Sequence, residues 1–274
     1  MKKENARQVA RFSTVVVMTS SESGSTEEDE EDIVDKLRRP VKLNTEDIMS
    51  VVQMLINVMF PGDAARQKIS VIDPGFHATY MSGVKNDADE ITLRRHARYR
   101  NDMASYFSLE RRRQGGITVI PIHDDDHWSL LVYLNAYRAF YTFDSYDAYH
   151  HNYVIRFIDK LGTDDILVSL RDETIVAIPC PRQRYLYECG QYVFMFVYSF
   201  FTVWLDAVET RAVVPVEGTV RQQTRRVRKN RNCPVDLPPF NEQLQSMILE
   251  KCKEKCRGVF ITALNELIHE RRKY

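Results

Sequence analysis

Apolar residues in this chain recur either at helical spacing or as short continuous runs, and the two patterns divide it into elements. Ile48, Val51, Val52, Leu55, Ile56 and Met59 recur three and four apart, which predicts an amphipathic helix. Asn44-Thr45-Glu46-Asp47 offers it an N-cap with acids in the first turn, and Pro61-Gly62 stops it. Lys68 to Ile72 reads as a short strand closed by Asp73-Pro74-Gly75. A second helix is expected over Ile91 to Phe107, its many arginines on a solvated outer face. After the break at Gly115-Gly116, strands are expected at Ile117 to Ile122, Trp128 to Leu134 and Ala139 to Phe143, the last two joined by a turn at Asn135 to Arg138. Val154, Ile155, Phe157, Ile158 and Leu161 mark another amphipathic helix, and Thr174 to Ile178 another strand, ended by Pro179-Cys180-Pro181. A long helix then begins near Glu188-Cys189-Gly190. Its apolar run, Tyr192 to Leu205, is shorter than the ~20 residues a membrane span needs, so it reads as a buried helix and no membrane partner is expected.

The flanks differ in composition. Residues 1–40 read as a disordered acidic tail, because the block Glu27-Glu28-Asp29-Glu30-Glu31-Asp32 repels itself and buries nothing. Just before it, Val15-Val16-Val17-Met18 is a β-prone tetrapeptide, either an edge strand of this chain's own sheet or one that adds to another protein's. The folded domain is expected over 41–274, with a basic insertion at about 211–232. Arg221, Arg225, Arg226, Arg228, Lys229 and Arg231 there form a solvated loop, an import signal or a patch for an acidic partner. Pro234 to Pro239 reads as a stiff linker, and Phe240 to Arg271 as mostly helical, interrupted at Gly258.

Composition narrows the class. The 274 residues are 44% hydrophobic and 11% aromatic, enough for a sizeable core. Lys plus Arg and Asp plus Glu both number 38, so net charge gives no general pull toward nucleic acid. The five cysteines are an odd count in a chain of this size, and no secretory segment opens it. An intracellular protein with free thiols is expected. Cys252 and Cys256 are four apart, but nothing completes a zinc set around them. His123-Asp124-Asp125-Asp126-His127 offers oxygen and imidazole ligands without a third ordered element, so no metal and no cofactor are expected. His150-His151 reads as a surface pair.

The chemistry lies between Gly116 and Phe201. Cys189 opens a long apolar helix, and a helix N-terminus and a neighbouring imidazolium are the two devices that activate a thiol. His127 begins one strand and Asp144 ends the next; antiparallel neighbours set such residues side by side, so the carboxylate can orient the ring and stabilise its charged form. Gln183, six residues before Cys189, can aim an amide at a developing oxyanion, with the Cys189 N–H as second donor. Gly190 leaves room for a substrate backbone. Taken singly, each has a plainer reading: a cysteine at a helix start is usually inert, and an aspartate at a strand end usually caps a turn.

Together the pieces resemble the Ulp-type cysteine proteases, the SUMO- or sentrin-specific family with its deneddylating branch. The pattern is Val119-Ile120-Pro121-Ile122-His123, His127-Trp128, Asp144-Ser145, Gln183 and Cys189-Gly190, in family order and with family-like gaps, over about 41–206. The resemblance implies an α+β, papain-like fold, a central mixed sheet flanked by helices with the nucleophile at the N-terminus of the central helix. It implies catalysis by Cys189, His127, Asp144 and Gln183, and cleavage after Gly-Gly of a ubiquitin-like modifier. Trp128 would help roof a tunnel that only two glycines can thread. The segment His127 to Leu134 is most similar to the deneddylating branch, and Val15 to Met18 resembles a SUMO-interaction motif. Two positions depart: the residue before Cys189 is Glu188 where the family usually has Asp, and Lys42-Leu43-Asn44-Thr45 stands where it often has Trp-Leu-Asn-Asp.

The expected function is therefore an intracellular, in particular nuclear, thiol protease acting on SUMO- or Nedd-type precursors and conjugates. Two rivals are a viral-type processing protease cutting structural polyproteins after Gly, and an inactive adaptor that only binds a modifier. An acyltransferase on the same core is a further alternative.

Overall fold

The computed structural model describes residues 36–37, 39–60, 62, 66–83, 89–109, 111, 115–135, 137–167, 174–213, 246–248 and 250. Five strands form one sheet in chain order: β1 Ile69–Val71, β2 Ile117–Asp124, β3 His127–Leu134, β4 Ala139–Phe143 and β5 Thr174–Ile178. β2, β3 and β4 form an antiparallel meander, and β1 and β5 pair parallel at its two edges. The sheet is thus mixed, as expected.

Alternation along β3 explains why helices cover both faces. Trp128, Leu130, Val132 and Leu134 face one core and Leu131 and Tyr133 the other, and every residue of the strand is buried. The first core holds α1 (Thr45–Met59) and α5 (Cys189–Val213). The second holds α2 (Pro74–Ser82), α3 (Glu90–Tyr106) and α4 (His151–Thr163). α5 lies against β3 and α1, and among the described residues no helix is long and apolar enough to cross a membrane.

Local chemistry sets the ends of these elements. Asn44 caps α1 through a full capping box: its side chain accepts from the Asp47 N–H at 2.9 Å, and Asp47 accepts from the Asn44 N–H at 3.0 Å. Asp73-Pro74-Gly75 does not close a turn. Asp73 accepts from the Phe76 N–H at 2.9 Å and Pro74 occupies the first turn, so the triplet opens α2. β2 and β3 meet in a two-residue hairpin, Asp125 (φ 47°) and Asp126 (φ 62°), with Asp124 paired to His127. Two successive positive φ values match a type I′ turn, a geometry aspartate tolerates better than most residues.

The packed part begins before Val41. Leu37 is fully buried, the Gln191 amide donates to its carbonyl at 3.1 Å, and Lys36 pairs with Asp47 at 3.1 Å. Ile248, far along the chain, is also buried in the first core. The acidic block, Val15–Met18, the basic run 221–231, Cys233, Cys252 and Cys256 lie outside the described residues.

His77 on α2 is buried against Phe157, with ring centroids 4.5 Å apart, and its Nε2 has no hydrogen-bond partner. Burial, helped by the nearby His150, pushes its pKa down to about 3. The unfolded chain takes up this proton below about pH 6.5 and the folded chain does not, so stability is lost as pH falls from there toward 3. The loss should approach ~1.4 kcal/mol per pH unit. Urea midpoints measured from pH 7 to 4 should fall less steeply in His77→Phe than in the parent; equal slopes would show that another group carries the effect.

Candidate active site

The β3–β4 register that pairs Leu130 with Phe143 carries on to set Asp144 beside Ser129, a diagonal step from His127 on the same face. That step lets His127 Nε2 meet Asp144 Oδ1 at 2.8 Å, both residues being largely buried. The Asp144 carboxylate is held at both oxygens: Oδ1 also accepts from the Tyr146 N–H and Oδ2 from the His150 N–H, each at 2.9 Å. Burial pushes Asp144 up, but the bonds from His127, His150 and Tyr146 prevail and leave its carboxyl below the ordinary carboxylate range.

His127 Nε2 is thus given to Asp144, and Cys189 lies close enough for its hydrogen bonding and charge to act on the ring, while the Cys189 thiol itself donates to the Leu186 carbonyl at 3.5 Å. Burial disfavours the imidazolium; hydrogen bonds to Asp144 and Cys189 and the attraction of both outweigh it, raising His127 to about 9. Cys189 is 2% exposed and is the first residue of α5, entered through a single 3-10 turn, Leu186–Glu188. The start of the helix and the imidazolium both put positive potential at the sulfur.

This arrangement fixes the alkaline limit of any reaction that needs His127 as an acid. The ring is charged below its raised pKa and loses the proton as pH rises through about 9. Turnover by the parent protein should hold through pH 8 and fall about tenfold per unit above 9. A profile that instead declines from pH 6.5 upward would contradict the Asp144-supported imidazolium.

Gln183 is buried in the loop before α5, and its amide Nε2 donates to the Tyr185 carbonyl at 3.2 Å. Glu188 locks this loop: its buried carboxylate accepts from the N–H groups of Arg184 and Tyr185 at 2.9 and 3.0 Å. The side chain thus caps the turn that carries Gln183.

Trp128 is buried, stacks on His123 with centroids 4.2 Å apart, and donates its indole N–H to the Leu43 carbonyl at 3.1 Å. Leu43 belongs to the stretch where the family pattern starts with Trp. Here Lys42 occupies that place and pairs with Asp126, in the turn just before His127. The segment 42–44 therefore joins the wall that carries Cys189 to the wall that carries His127.

Gly190 has a different reason from the expected one. A Cβ there would come 3.1 Å from Ile48 Cδ1 and 3.2 Å from Leu43 Cβ, so the missing side chain admits α1 and its approach segment.

The stretch His123–His127 sends its groups to separate partners: His123 to Trp128, Asp125 to Tyr149, Asp126 to Lys42 and His127 to Asp144. Among the described residues the His/Cys/Asp/Glu group with metal-like spacing is instead His127, Asp144 and His150. Both His150 ring nitrogens are already engaged, one with Ser129 Oγ at 2.7 Å and one with the Asp124 carbonyl at 3.0 Å. His150 is buried, not a surface residue, and it braces Asp144, the hairpin turn and β3 together. Its signal in the sequence was only its distance from Asp144, six residues along at the head of α4.

Residues 115–205 match the model of the Ulp1 protease family, C-terminal catalytic domain. Cys189, His127, Asp144 and Gln183 all fall inside that span. No curated protein matches the sequence. Among solved structures, a crystal structure of a de-sumoylating protease is 16% identical, covering 89% of this chain and 92% of its own, with a TM-score of 0.48. The Xanthomonas campestris effector protein XopD bound to ubiquitin is 17% identical, covering 77% and 91%, with a TM-score of 0.45. The C-terminal Ulp1 protease domain in complex with Smt3, the yeast ortholog of SUMO, is 14% identical, covering 84% and 98%, with a TM-score of 0.42.

Proposed function

We propose that this chain, whose residues 115–205 match the model of the Ulp1 protease family, is a thiol protease that cuts after the Gly-Gly terminus of a ubiquitin-like modifier, SUMO- or Nedd-type. The observation that carries the chemistry is the buried His127–Asp144 contact of 2.8 Å, on a ring whose protonation Cys189 also favours. In this reading the Cys189 sulfur attacks the scissile carbonyl and a C–S bond forms. The carbonyl electrons move to oxygen, and the Gln183 amide and the Cys189 backbone N–H donate hydrogen bonds to that oxyanion. His127 gives its proton to the departing amine as the C–N bond breaks, leaving a thioester. Water then attacks the thioester carbonyl with His127 taking its proton, the C–S bond breaks with its electron pair returning to the sulfur, and the modifier leaves as a free carboxylic acid while the thiolate–imidazolium pair is restored. The chain's own residues supply every group these steps need.

Trp128, held by Leu43, and Lys42 with Asp126 flank the route to the sulfur in this reading, and a narrow route admits glycine and excludes side chains. Release of a modifier from conjugates is a nuclear as well as cytoplasmic task, and the basic run 221–231 is the candidate import signal.

One observation favours a second substrate. Lys42 replaces the aromatic residue of the family pattern and is tied to Asp126, so the route is bordered by an ion pair. A viral-type processing protease, cutting extended polyprotein segments after Gly, fits such a border.

The test is a panel: fluorogenic SUMO, Nedd-type modifier and ubiquitin ending in Gly-Gly, beside short Gly-containing peptides, with Cys189→Ala as the blank. The proposal expects a folded modifier to exceed the short peptides in kcat/KM by at least a hundredfold. Comparable peptide rates favour the processing protease, and no turnover by the folded parent protein leaves the modifier-binding adaptor.

A further inference from the structure

We infer that Ser145 is a positioning residue of the reaction, which sets the Gln183 amide in the one orientation that can donate to an oxyanion. The inference rests on the reading of Gln183 given above. Ser145 is 1% exposed and Gln183 7% exposed. The Ser145 hydroxyl donates to Gln183 Oε1 at 2.7 Å, and the Gln183 backbone N–H donates to the Ser145 carbonyl at 3.0 Å. Side chain and main chain of the two residues are therefore clasped together.

An amide group has a donor end and an acceptor end, and a half-turn about its last torsion exchanges them. Only one of the two orientations serves a developing negative charge. Two neighbours decide which. The Tyr185 carbonyl can only accept, and it lies 3.2 Å from Nε2, so the flipped amide would set oxygen against oxygen. Ser145 completes the choice by donating to Oε1. One amide N–H is then given to Tyr185, and the proposed oxyanion role falls to the second. Donation to Oε1 also drains the amide of electron density and makes its N–H groups stronger donors. Removing Ser145 leaves Oε1 buried without its donor while the Tyr185 carbonyl still bars the flipped orientation, so the amide gains by tilting away from its place.

The placement has a consequence for the whole site. Asp144 and Ser145 are consecutive. The first fixes the ring that carries the proton and the second fixes the amide that meets the charge. A single dipeptide at the end of β4 thus registers the acid–base group and the oxyanion donor against each other, although the two come from β3 and from the loop before α5.

The experiment is a double-mutant cycle on the full chain, Ser145→Ala with and without Gln183→Ala. It reads kcat and KM on the best substrate of the panel and the affinity for a peptide aldehyde ending in Gly-glycinal. The aldehyde forms a hemithioacetal whose oxygen occupies the oxyanion position. Iodoacetamide alkylation of Cys189, which needs no oxyanion donor, serves as the control for an intact thiol–imidazole pair. Ser145→Ala should lower kcat and aldehyde affinity about tenfold, a smaller loss than the ~100- to 1,000-fold expected for an oxyanion donor itself. KM and the alkylation rate should stay within twofold. In the Gln183→Ala background Ser145→Ala should have no further effect, and Ser145→Thr, which keeps the hydroxyl, should recover most of the loss.

Equal effects in both backgrounds, or a matching fall in alkylation rate, would reduce Ser145 to a structural residue and overturn the inference. So would an unchanged kcat in Ser145→Ala. A parent protein that neither cleaves nor binds the aldehyde would overturn the protease reading as well, which distinguishes the two failures.

Discussion

Cys189→Ala should lower turnover by about 10⁴- to 10⁶-fold while leaving substrate affinity within a few-fold of the parent. Cys189 is 2% exposed at the head of α5 and packs within the core, so removing its sulfur takes away the bond-forming atom and little binding surface. Single-turnover cleavage gives the first quantity, and fluorescence anisotropy with a labelled substrate gives the second. Appreciable turnover in the variant would assign the chemistry to another group. Loss of binding together with turnover would instead make Cys189 a packing residue.

Asp144→Asn should lower kcat by about 10²- to 10⁴-fold with little change in KM. The carboxylate accepts from His127 at one oxygen and from the His150 N–H at the other. A carboxamide has one oxygen, so it satisfies one of these bonds and presents an NH₂ to the other partner. It also carries no charge with which to stabilise the imidazolium. The Asp144 bond is the largest of the influences that raise His127, so the alkaline fall in activity should move from about 9 toward the ordinary histidine value near 6.5. A kcat/KM profile from pH 6 to 10 reads the shift. An unmoved alkaline limb in a slow variant would mean that Asp144 only holds the loop after β4.

Much of this site was legible because its parts are governed by local rules. His127 opens a strand, Asp144 closes the next, and Cys189 opens a helix that is apolar nearly all round; each placement follows from periodicity within a few residues. The α1 cap was equally plain, since Asn44 and Asp47 are both halves of a capping box. α2 was missed because Asp-Pro-Gly is as good a turn as a helix start, and α2 has too few apolar residues at helical spacing to decide between them.

The rest depends on partners distant in sequence. His150 looks polar and exposed until Ser129 and the Asp124 carbonyl take up its ring. Leu37 lies in charged surroundings in the sequence, yet it is buried in the first core, and Gln191, 154 positions away, holds its carbonyl. Gly190 reads as room for a substrate, and only the structure shows that Leu43 and Ile48 also need its missing side chain. Lys42 reads as a lost aromatic residue, and only its contact with Asp126 shows what stands there instead.

The measurement that bears most directly on the centre of this account needs no substrate. Cys180 is half-buried and Cys189 is buried, so exposure alone would have iodoacetamide label Cys180 first. Peptide mass analysis over a time course at pH 7.5 gives both rates in one tube. Activation by His127 should reverse the order, with Cys189 labelled at least tenfold faster and the advantage gone in His127→Ala. If Cys180 reacts first, or if Cys189 keeps its rate without the imidazole, the sulfur is an ordinary core thiol and the catalytic assignment fails.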